Sequence, residues 1–204
     1  MRHRSKWLAL ALALVLTLAL TVQAFALTVT WDMLKNGYDY KGTHYSGNAV
    51  LFDEKVYLSH HDNGKPYLEN SVTNISITHT EKYVAVILND NEDVGIDCES
   101  LDRDFSAVEA KALSEEEIDD LEDDEKRNEQ LAIYWCAKEA IFKRLSLFNV
   151  DFAEQIELER FRPKGEGELE ATFIDEKEDY EQDFDLSYIT FDRHVLVWVV
   201  GGER

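Results

Sequence analysis

The hexapeptide VGIDCE at residues 94–99 decides how this chain is interpreted, and it predicts a strand. Side chains alternate between the two faces of a strand, so Asp97 and Glu99 share one face and Cys98 takes the other. The rise of a strand places the two carboxylates about 7 Å apart. They make a hard-cation site if a third oxygen ligand arrives from elsewhere. The same D-x-E pattern is also common on the wet face of an ordinary strand.

A second motif, WCAKEAIFK at residues 135–143, lies in a segment with helical spacing. Leu131, Trp135 and Phe142 share a buried flank of a predicted helix over residues 131–147. Glu139 and Lys143 are one turn apart on that helix and face the same way. They form either an ordinary surface ion pair, contributing about 0.3–0.5 kcal/mol, or part of a site with the carboxylates of the hexapeptide.

A third motif, ISITHT at residues 75–80, precedes another β-rich run at residues 83–88, and the two predict a hairpin. His79 stands at the end of the first strand between Thr78 and Thr80. A histidine flanked by hydroxyls suits phosphate oxygens, although a lone histidine at a strand end is more often structural.

The composition limits the classes of function and fold. The chain has 42 acidic and 21 basic residues and a net charge of -21, which excludes binding to nucleic acid through a general electrostatic field. Its two cysteines are too few for a disulfide framework or a structural zinc site. Helix and strand patterns mix without regular alternation, which predicts an α+β fold. Ser114 and Glu117 fit a capping box that opens a helix.

The N-terminus resembles a secretory signal peptide over residues 1–26. Arg2, Arg4 and Lys6 precede an uncharged stretch at residues 7–31, and AFA at residues 24–26 offers a small-x-small cleavage site. The alternative is an apolar helix buried in the fold. We therefore divide the chain into an apolar N-terminal helix and loop at residues 1–48 and a second domain at residues 49–204.

In combination, the three motifs resemble those of the 4'-phosphopantetheinyl transferase superfamily, in the same order and spacing. The family pattern is a serine-histidine segment, then V-G-I-D-x-E, then W-S/C-x-K-E-x-x-x-K, and the resemblance covers about residues 56–200. It is closest to the short bacterial form that resembles the surfactin-synthetase activator. That form implies a monomer of two similar α+β halves with coenzyme A in the cleft between them. The first half is shortened or diverged here, and Thr78 replaces the usual serine.

The resemblance also implies roles for individual residues. Three carboxylates would hold Mg²⁺ against the pyrophosphate of coenzyme A: Asp97, Glu99 and Glu139. Four side chains would contact coenzyme A: Lys65, Thr78, His79 and Lys138. Glu117 would be the general base, since residues 113–117 match the family's F-S-x-x-E, and Lys143 would stabilise or protonate the leaving group.

The implied activity is transfer of the phosphopantetheine arm of coenzyme A to a serine of an acyl or peptidyl carrier protein, with release of 3',5'-ADP. Coenzyme A and carrier proteins are cytoplasmic, so this function predicts a cytoplasmic protein. The signal-like N-terminus favours the alternative, an exported or degenerate acidic binding protein that keeps the fold without catalysis. A start codon placed too far downstream is a third explanation of the unusual N-terminus.

Overall fold

The computed structural model describes residues 11–13, 38–40, 43–45, 49–51, 55–69, 71–122 and 125–202. The strands of the first part are β1 (Ala11–Ala13), β2 (Tyr38–Tyr40), β3 (Thr43–Tyr45), β4 (Ala49–Leu51), β5 (Lys55–His60), β6 (Pro66–Leu68), β7 (Asn74–His79) and β8 (Val84–Asn89). The second part contains β9 (Val94–Ser100), α1 (Ser106–Ala112), α2 (Glu115–Asp119), α3 (Arg127–Leu145), α4 (Phe152–Gln155), β10 (Ile156–Leu158), β11 (Glu166–Asp175), β12 (Tyr180–Phe191) and β13 (His194–Val200). The expected α+β class is confirmed.

The second part is built on an antiparallel sheet with the strand order β10-β11-β12-β13-β9. Side chains on β11 and β12 alternate between the core and solvent, as at Leu169 and Glu170, because one face of the sheet is covered and the other is wet. The tight turn between β12 and β13 places Asp192 and Arg193 at φ 41° and 57°. Positive φ at both central residues suits the twist of a two-residue hairpin.

Helix α3 crosses the covered face of this sheet and forms the centre of the core. Its residues 130–134 are all buried, so the helix is enclosed on every side there. The spacing of its apolar residues predicts burial on one side only. The physical reason is that α3 packs on β9 and β13 along one side and on α1 along another. The helix ends at Ser146, which adopts the left-handed conformation with φ 57°.

Gly95 sets how closely α3 approaches the sheet. A Cβ atom on Gly95 would lie 1.8 Å from the carbonyl oxygen of Ala140, which is a backbone atom of the helix. The other face of β9 packs on the hairpin of β7 and β8, where Ile96 and Cys98 join a buried cluster with Ile87. The strand is therefore enclosed between the helix and this hairpin.

The hairpin is joined to β9 through side-chain hydroxyl groups. Ser76 Oγ accepts a hydrogen bond from the Ile96 N–H at 3.2 Å, and Thr78 Oγ1 accepts one from the Cys98 N–H at 3.2 Å. These bonds satisfy donors on the free edge of β9, which would otherwise be left buried without partners. The two hydroxyls therefore fix β7 beside the strand that carries Asp97 and Glu99.

The first part of the chain is described only in pieces. The predicted hairpin is confirmed by β7 and β8, which pair antiparallel from His79–Val84 to Asn74–Asn89. Where the sequence predicts an apolar helix, the three described residues Ala11–Ala13 form a strand along β8. A free edge of β8 offers backbone partners to an extended segment. The rest of residues 1–37 lies outside the described residues, and among those described, no helix is long and apolar enough to cross a membrane.

We predict that Gly95→Ala destabilises the protein by at least about 3 kcal/mol, because a methyl group placed against a helix backbone forces the helix and the sheet apart. Cys98→Ala is the control, since it changes a small buried side chain on the other face of the same strand and costs about 1 kcal/mol. Urea unfolding of both variants measures the difference. Equal stability of Gly95→Ala and Cys98→Ala would contradict the close contact.

Candidate active site

Asp97 lies where β9, β7 and α3 meet, and its side chain is only 8% exposed. Its Oδ1 accepts a hydrogen bond from Thr78 Oγ1 at 2.9 Å and forms an ion pair with Lys143 Nζ at 2.7 Å. Lys143 also donates to the carbonyl of Ile96 at 3.1 Å. The second oxygen, Oδ2, is buried and has no hydrogen-bond partner among the described residues. A buried carboxylate oxygen without a donor is the position at which a cation is favourable.

Lys143 therefore does not form the ordinary surface pair with Glu139 that its helical spacing allows. It links the last turn of α3 to the strand that carries Asp97. Its side chain is 27% exposed, so it is only partly buried. An ammonium group that is both paired and accessible is available to an anionic ligand.

Glu99 and Glu139 are the two carboxylates near enough to Asp97 for its charge to affect their pKa values. Burial raises the pKa of Glu139, and the charge of Asp97 adds to the rise, while Lys143 opposes it. Burial likewise raises the pKa of Glu99, followed by the charge of Asp97, while the ion pair with Arg103 and a hydrogen bond with Trp135 oppose the rise. Neighbouring carboxylates that raise one another's pKa bind a cation favourably.

The chemistry of this donor set fits Mg²⁺, because hard cations prefer carboxylate oxygens and Asp97 Oδ2 is free to accept one. Within the described residues, however, no three acidic, histidine or cysteine side chains are gathered closely enough to hold a metal ion. Lys143 contacts Asp97, and Arg103 contacts Glu99 at 2.7 Å. The magnesium site thus stays a prediction, with Asp97, Glu99 and Glu139 as its ligands.

Lys138 and Glu117 occupy a different place from the one that their predicted roles require. Lys138 Nζ lies 2.6 Å from Glu117 Oε2 and also donates to the carbonyls of Phe152 and Ile156, and both charged side chains are at most 2% exposed. Burial lowers the pKa of Lys138, and the charge of Glu117 opposes the change. In this structure both side chains are enclosed and bonded to groups of the protein itself, so their predicted contacts with phosphate and with a serine stay predictions. Their geometry is that of a structural ion pair.

Glu117 also confirms the predicted capping box. The Ser114 Oγ accepts from the Glu117 N–H, and Glu117 Oε2 accepts from the Ser114 N–H. Its Oε1 accepts a third bond from the Leu158 N–H at 2.9 Å. The carboxylate therefore links α2, α3 and β10, which explains why it is buried far more deeply than an ordinary cap.

Lys65 and Lys143 line the same cleft, which has a volume of about 290 Å³. The cleft lies between the turn before β6, strand β7 and the end of α3, and its apolar lining includes Ile77, Phe142 and Phe148. Lys65 is paired with Asp93 at 3.2 Å. Thr78 is buried and bonded to Asp97, and His79 is exposed at the end of β7; neither lines the cleft.

The two cysteines are free and buried. Cys98 faces away from Asp97 and Glu99, as strand alternation predicts, and burial raises the pKa of its thiol to about 12. Burial also raises the pKa of Cys136, with the Asp97 carboxylate adding to it. Arg103 pairs with Glu99 and is not predicted as its partner, because a spacing of four residues indicates contact between side chains only within a helix.

We predict that Lys138→Met costs about 3–5 kcal/mol of stability, because it leaves Glu117 buried and unpaired. The double variant Lys138→Met with Glu117→Gln is expected to lose less than the sum of the two single variants, since it removes both charges. Urea unfolding of the four proteins provides the double-mutant cycle. A Lys138→Met protein that is as stable as wild type but no longer binds coenzyme A would restore the phosphate-binding role.

We also predict that Glu139→Gln is more stable than wild type at pH 7.5 without divalent cations. The folded pKa of Glu139 is raised above its ordinary value of 4.5, so protonation stabilises the folded state. In the wild type, this stabilisation is fully present below pH 4.5 and is lost as the pH rises through the folded pKa of Glu139. The difference in stability between Glu139→Gln and the wild type therefore decreases as the pH falls towards 4.5. Thermal unfolding across this range measures it. Glu168→Gln, at an exposed position of β11, is the control, and a wild type more stable than Glu139→Gln at pH 7.5 would contradict the prediction.

Comparison with known proteins bears directly on these residues. The family model described as 4'-phosphopantetheinyl transferase superfamily matches residues 93–199, which is just over half of the chain and contains Asp97, Glu99, Glu139 and Lys143. A search of curated proteins finds no match to the chain. The matched residues span the five-stranded sheet and α3, the elements that carry Asp97, Glu99 and Glu139. The chain belongs to the 4'-phosphopantetheinyl transferase superfamily.

Proposed function

We propose that this protein transfers the phosphopantetheine arm of coenzyme A to a serine of an acyl or peptidyl carrier protein. The observation that carries the proposal is the pairing of Asp97 with Lys143 across the boundary between β9 and α3. It brings together one residue from each of the two family motifs, and both lie within the matched residues. A surface ion pair within one helix would not join the motifs in this way.

The two lysines of the cleft are the groups that would bind the anionic substrate. Lys65 and Lys143 approach the cleft from the turn before β6 and from α3. Lys65 donates to Asp93, and Lys143 donates to Asp97 and to the Ile96 carbonyl. Because an ammonium group has three donors, each lysine keeps at least one for a phosphate oxygen. The volume of about 290 Å³ is at the lower end for a small-molecule site, so the cleft would hold one portion of coenzyme A.

Asp97, Glu99 and Glu139 are the residues that would hold Mg²⁺. When bound, the ion neutralises charge that develops on the pyrophosphate during transfer. The carboxylates supply the charge that attracts the ion, and Thr78 keeps Asp97 in place with its hydrogen bond of 2.9 Å. His79, exposed at the end of β7, is proposed to contact a phosphate group at the rim.

In the proposed reaction the serine oxygen forms a bond to the β-phosphorus of coenzyme A. The bond from that phosphorus to the bridging oxygen breaks, 3',5'-ADP leaves, and the hydroxyl proton is released to solvent. Lys143 neutralises the negative charge of the leaving group, because its side chain lines the cleft and is only partly buried. We propose that the enzyme acts as a monomer in the cytoplasm, where coenzyme A and carrier proteins are present.

The test is transfer from coenzyme A to apo acyl and apo peptidyl carrier proteins, followed by mass spectrometry of the carrier over a range of Mg²⁺ concentrations. We expect Asp97→Asn and Glu139→Gln to lose at least about 100-fold in rate at low Mg²⁺, because each removes a charged ligand. Lys143→Ala is expected to lower the maximal rate by about 100-fold, because it acts on the leaving group. Unlike the two carboxylate variants, it should not raise the Mg²⁺ concentration that is needed, because it removes a positive charge beside Asp97.

The control is Asp185→Asn, which makes the same change at an exposed position of β12 and should keep the wild-type rate. Failure of the wild type to modify any carrier, with Mg²⁺ and coenzyme A in excess, would overturn the proposed function. It would favour the alternative of a non-catalytic acidic binding protein. A near-normal rate of Glu139→Gln at low Mg²⁺ would overturn only the assignment of the metal ligands.

A further inference from the structure

Glu99 is already occupied by a positive charge from its own chain. Arg103 Nη1 lies 2.7 Å from Glu99 Oε1, and the arginine side chain is 50% exposed. Arg103 belongs to the segment between β9 and α1, outside both family motifs. It is not among the residues that line the cleft with Lys65 and Lys143. This guanidinium therefore lies outside the cleft that is proposed to bind part of the substrate.

The surroundings hold the guanidinium beside Glu99. Its Cζ lies 4.8 Å from the centre of the Phe105 ring and 5.9 Å from that of Trp135, which is within the range of a cation–π contact. The backbone is fixed as well, because the Arg103 N–H donates to the Ser100 carbonyl at 3.1 Å and the Asn128 amide donates to the Arg103 carbonyl at 3.0 Å. Two rings and two backbone hydrogen bonds thus position one arginine against one carboxylate.

We propose that Arg103 is a positioning residue that competes with the divalent cation for Glu99 and so sets the cation concentration at which the site fills. The inference rests on the proposed function, because it takes Glu99 as a ligand of the ion. Without a bound ion, three neighbouring carboxylates repel one another, and Arg103 neutralises one of them as Lys143 neutralises Asp97. The guanidinium beside Glu99 would disfavour an ion at the same carboxylate, since two positive charges close together repel each other.

This competition agrees with the spacing of the carboxylates. Within the described residues they do not form a closed metal site, and Asp97 and Glu99 each contact a basic side chain. Lys143 lines the cleft and has a proposed task in the reaction, so its removal would change more than one property. Arg103 has no such task, and its aromatic contacts allow it to remain nearby after release.

The experiment measures binding of Mg²⁺ to the full chain without coenzyme A, from the rise of the unfolding temperature at increasing Mg²⁺ and pH 8. We expect Arg103→Gln to lower the half-saturating Mg²⁺ concentration by about three- to tenfold, because it removes one positive charge beside the site. Arg103→Lys keeps the charge but loses the planar guanidinium, so its half-saturating concentration should fall between those of the wild type and Arg103→Gln.

Arg162→Gln is the matched control, since Arg162 is an exposed arginine paired with Glu122 at 2.8 Å. Arg103→Gln values equal to those of the wild type and Arg162→Gln would overturn the role of Arg103 and leave the metal assignment intact. Weaker binding in Arg103→Gln would also overturn it, by showing that the arginine supports the ion. A wild type whose unfolding temperature does not respond to Mg²⁺ would overturn the metal assignment itself, and this inference with it.

The same ranking should appear in catalysis. The Mg²⁺ concentration that gives half of the maximal transfer rate should fall in the order wild type, Arg103→Lys, Arg103→Gln, while the maximal rate stays within about twofold. If a variant fails to fold, Arg103→Lys alone decides the question, because its half-saturating concentration must lie below that of the wild type. A lower maximal rate with an unchanged dependence on Mg²⁺ would overturn the competition.

Discussion

The site depends on the close approach of α3 to β9 at Gly95. A residue with a side chain at this position would meet the Ala140 carbonyl oxygen, so only glycine allows the helix to lie directly on the strand. The contact brings the last turns of α3 beside Asp97 and Glu99 of β9. Lys143 then reaches Asp97 at 2.7 Å, and Glu139 is close enough for the two carboxylates to influence each other's pKa. A packing requirement thus determines the electrostatics of the site.

The price of bringing these charges together is a group of carboxylates that is partly desolvated. Burial alone disfavours the charged forms of Glu99 and Glu139, and the neighbouring charge of Asp97 adds to the effect. The fold offsets this with one basic partner for Asp97, one for Glu99 and a hydroxyl from Thr78. Stability and readiness for a cation therefore oppose each other, because every group that neutralises a carboxylate also competes with the ion.

Much of this arrangement follows from the sequence, because it rests on local periodicity. Strand alternation places Asp97 and Glu99 opposite Cys98, and the capping pattern at Ser114 and Glu117 gives the start of α2. Local patterns do not reveal which distant group pairs with which charge. The pairing of Lys143 with Asp97, and of Lys138 with Glu117, joins residues 46 and 21 positions apart, and it depends on how α3 is packed.

Lys138 and Glu139 show that adjacent residues of one sequence motif can have different roles. Adjacent residues on a helix point about 100° apart, from 3.6 residues per turn. Lys138 therefore faces the inner side of α3, where Glu117 and the carbonyls of Phe152 and Ile156 surround it, while Glu139 faces the carboxylates of β9. The inner contact fixes the rotation of α3 about its axis. Because that rotation directs Glu139 and Lys143 towards the strand, the buried Lys138 helps to determine the geometry of the residues that are proposed to bind the ion and the substrate.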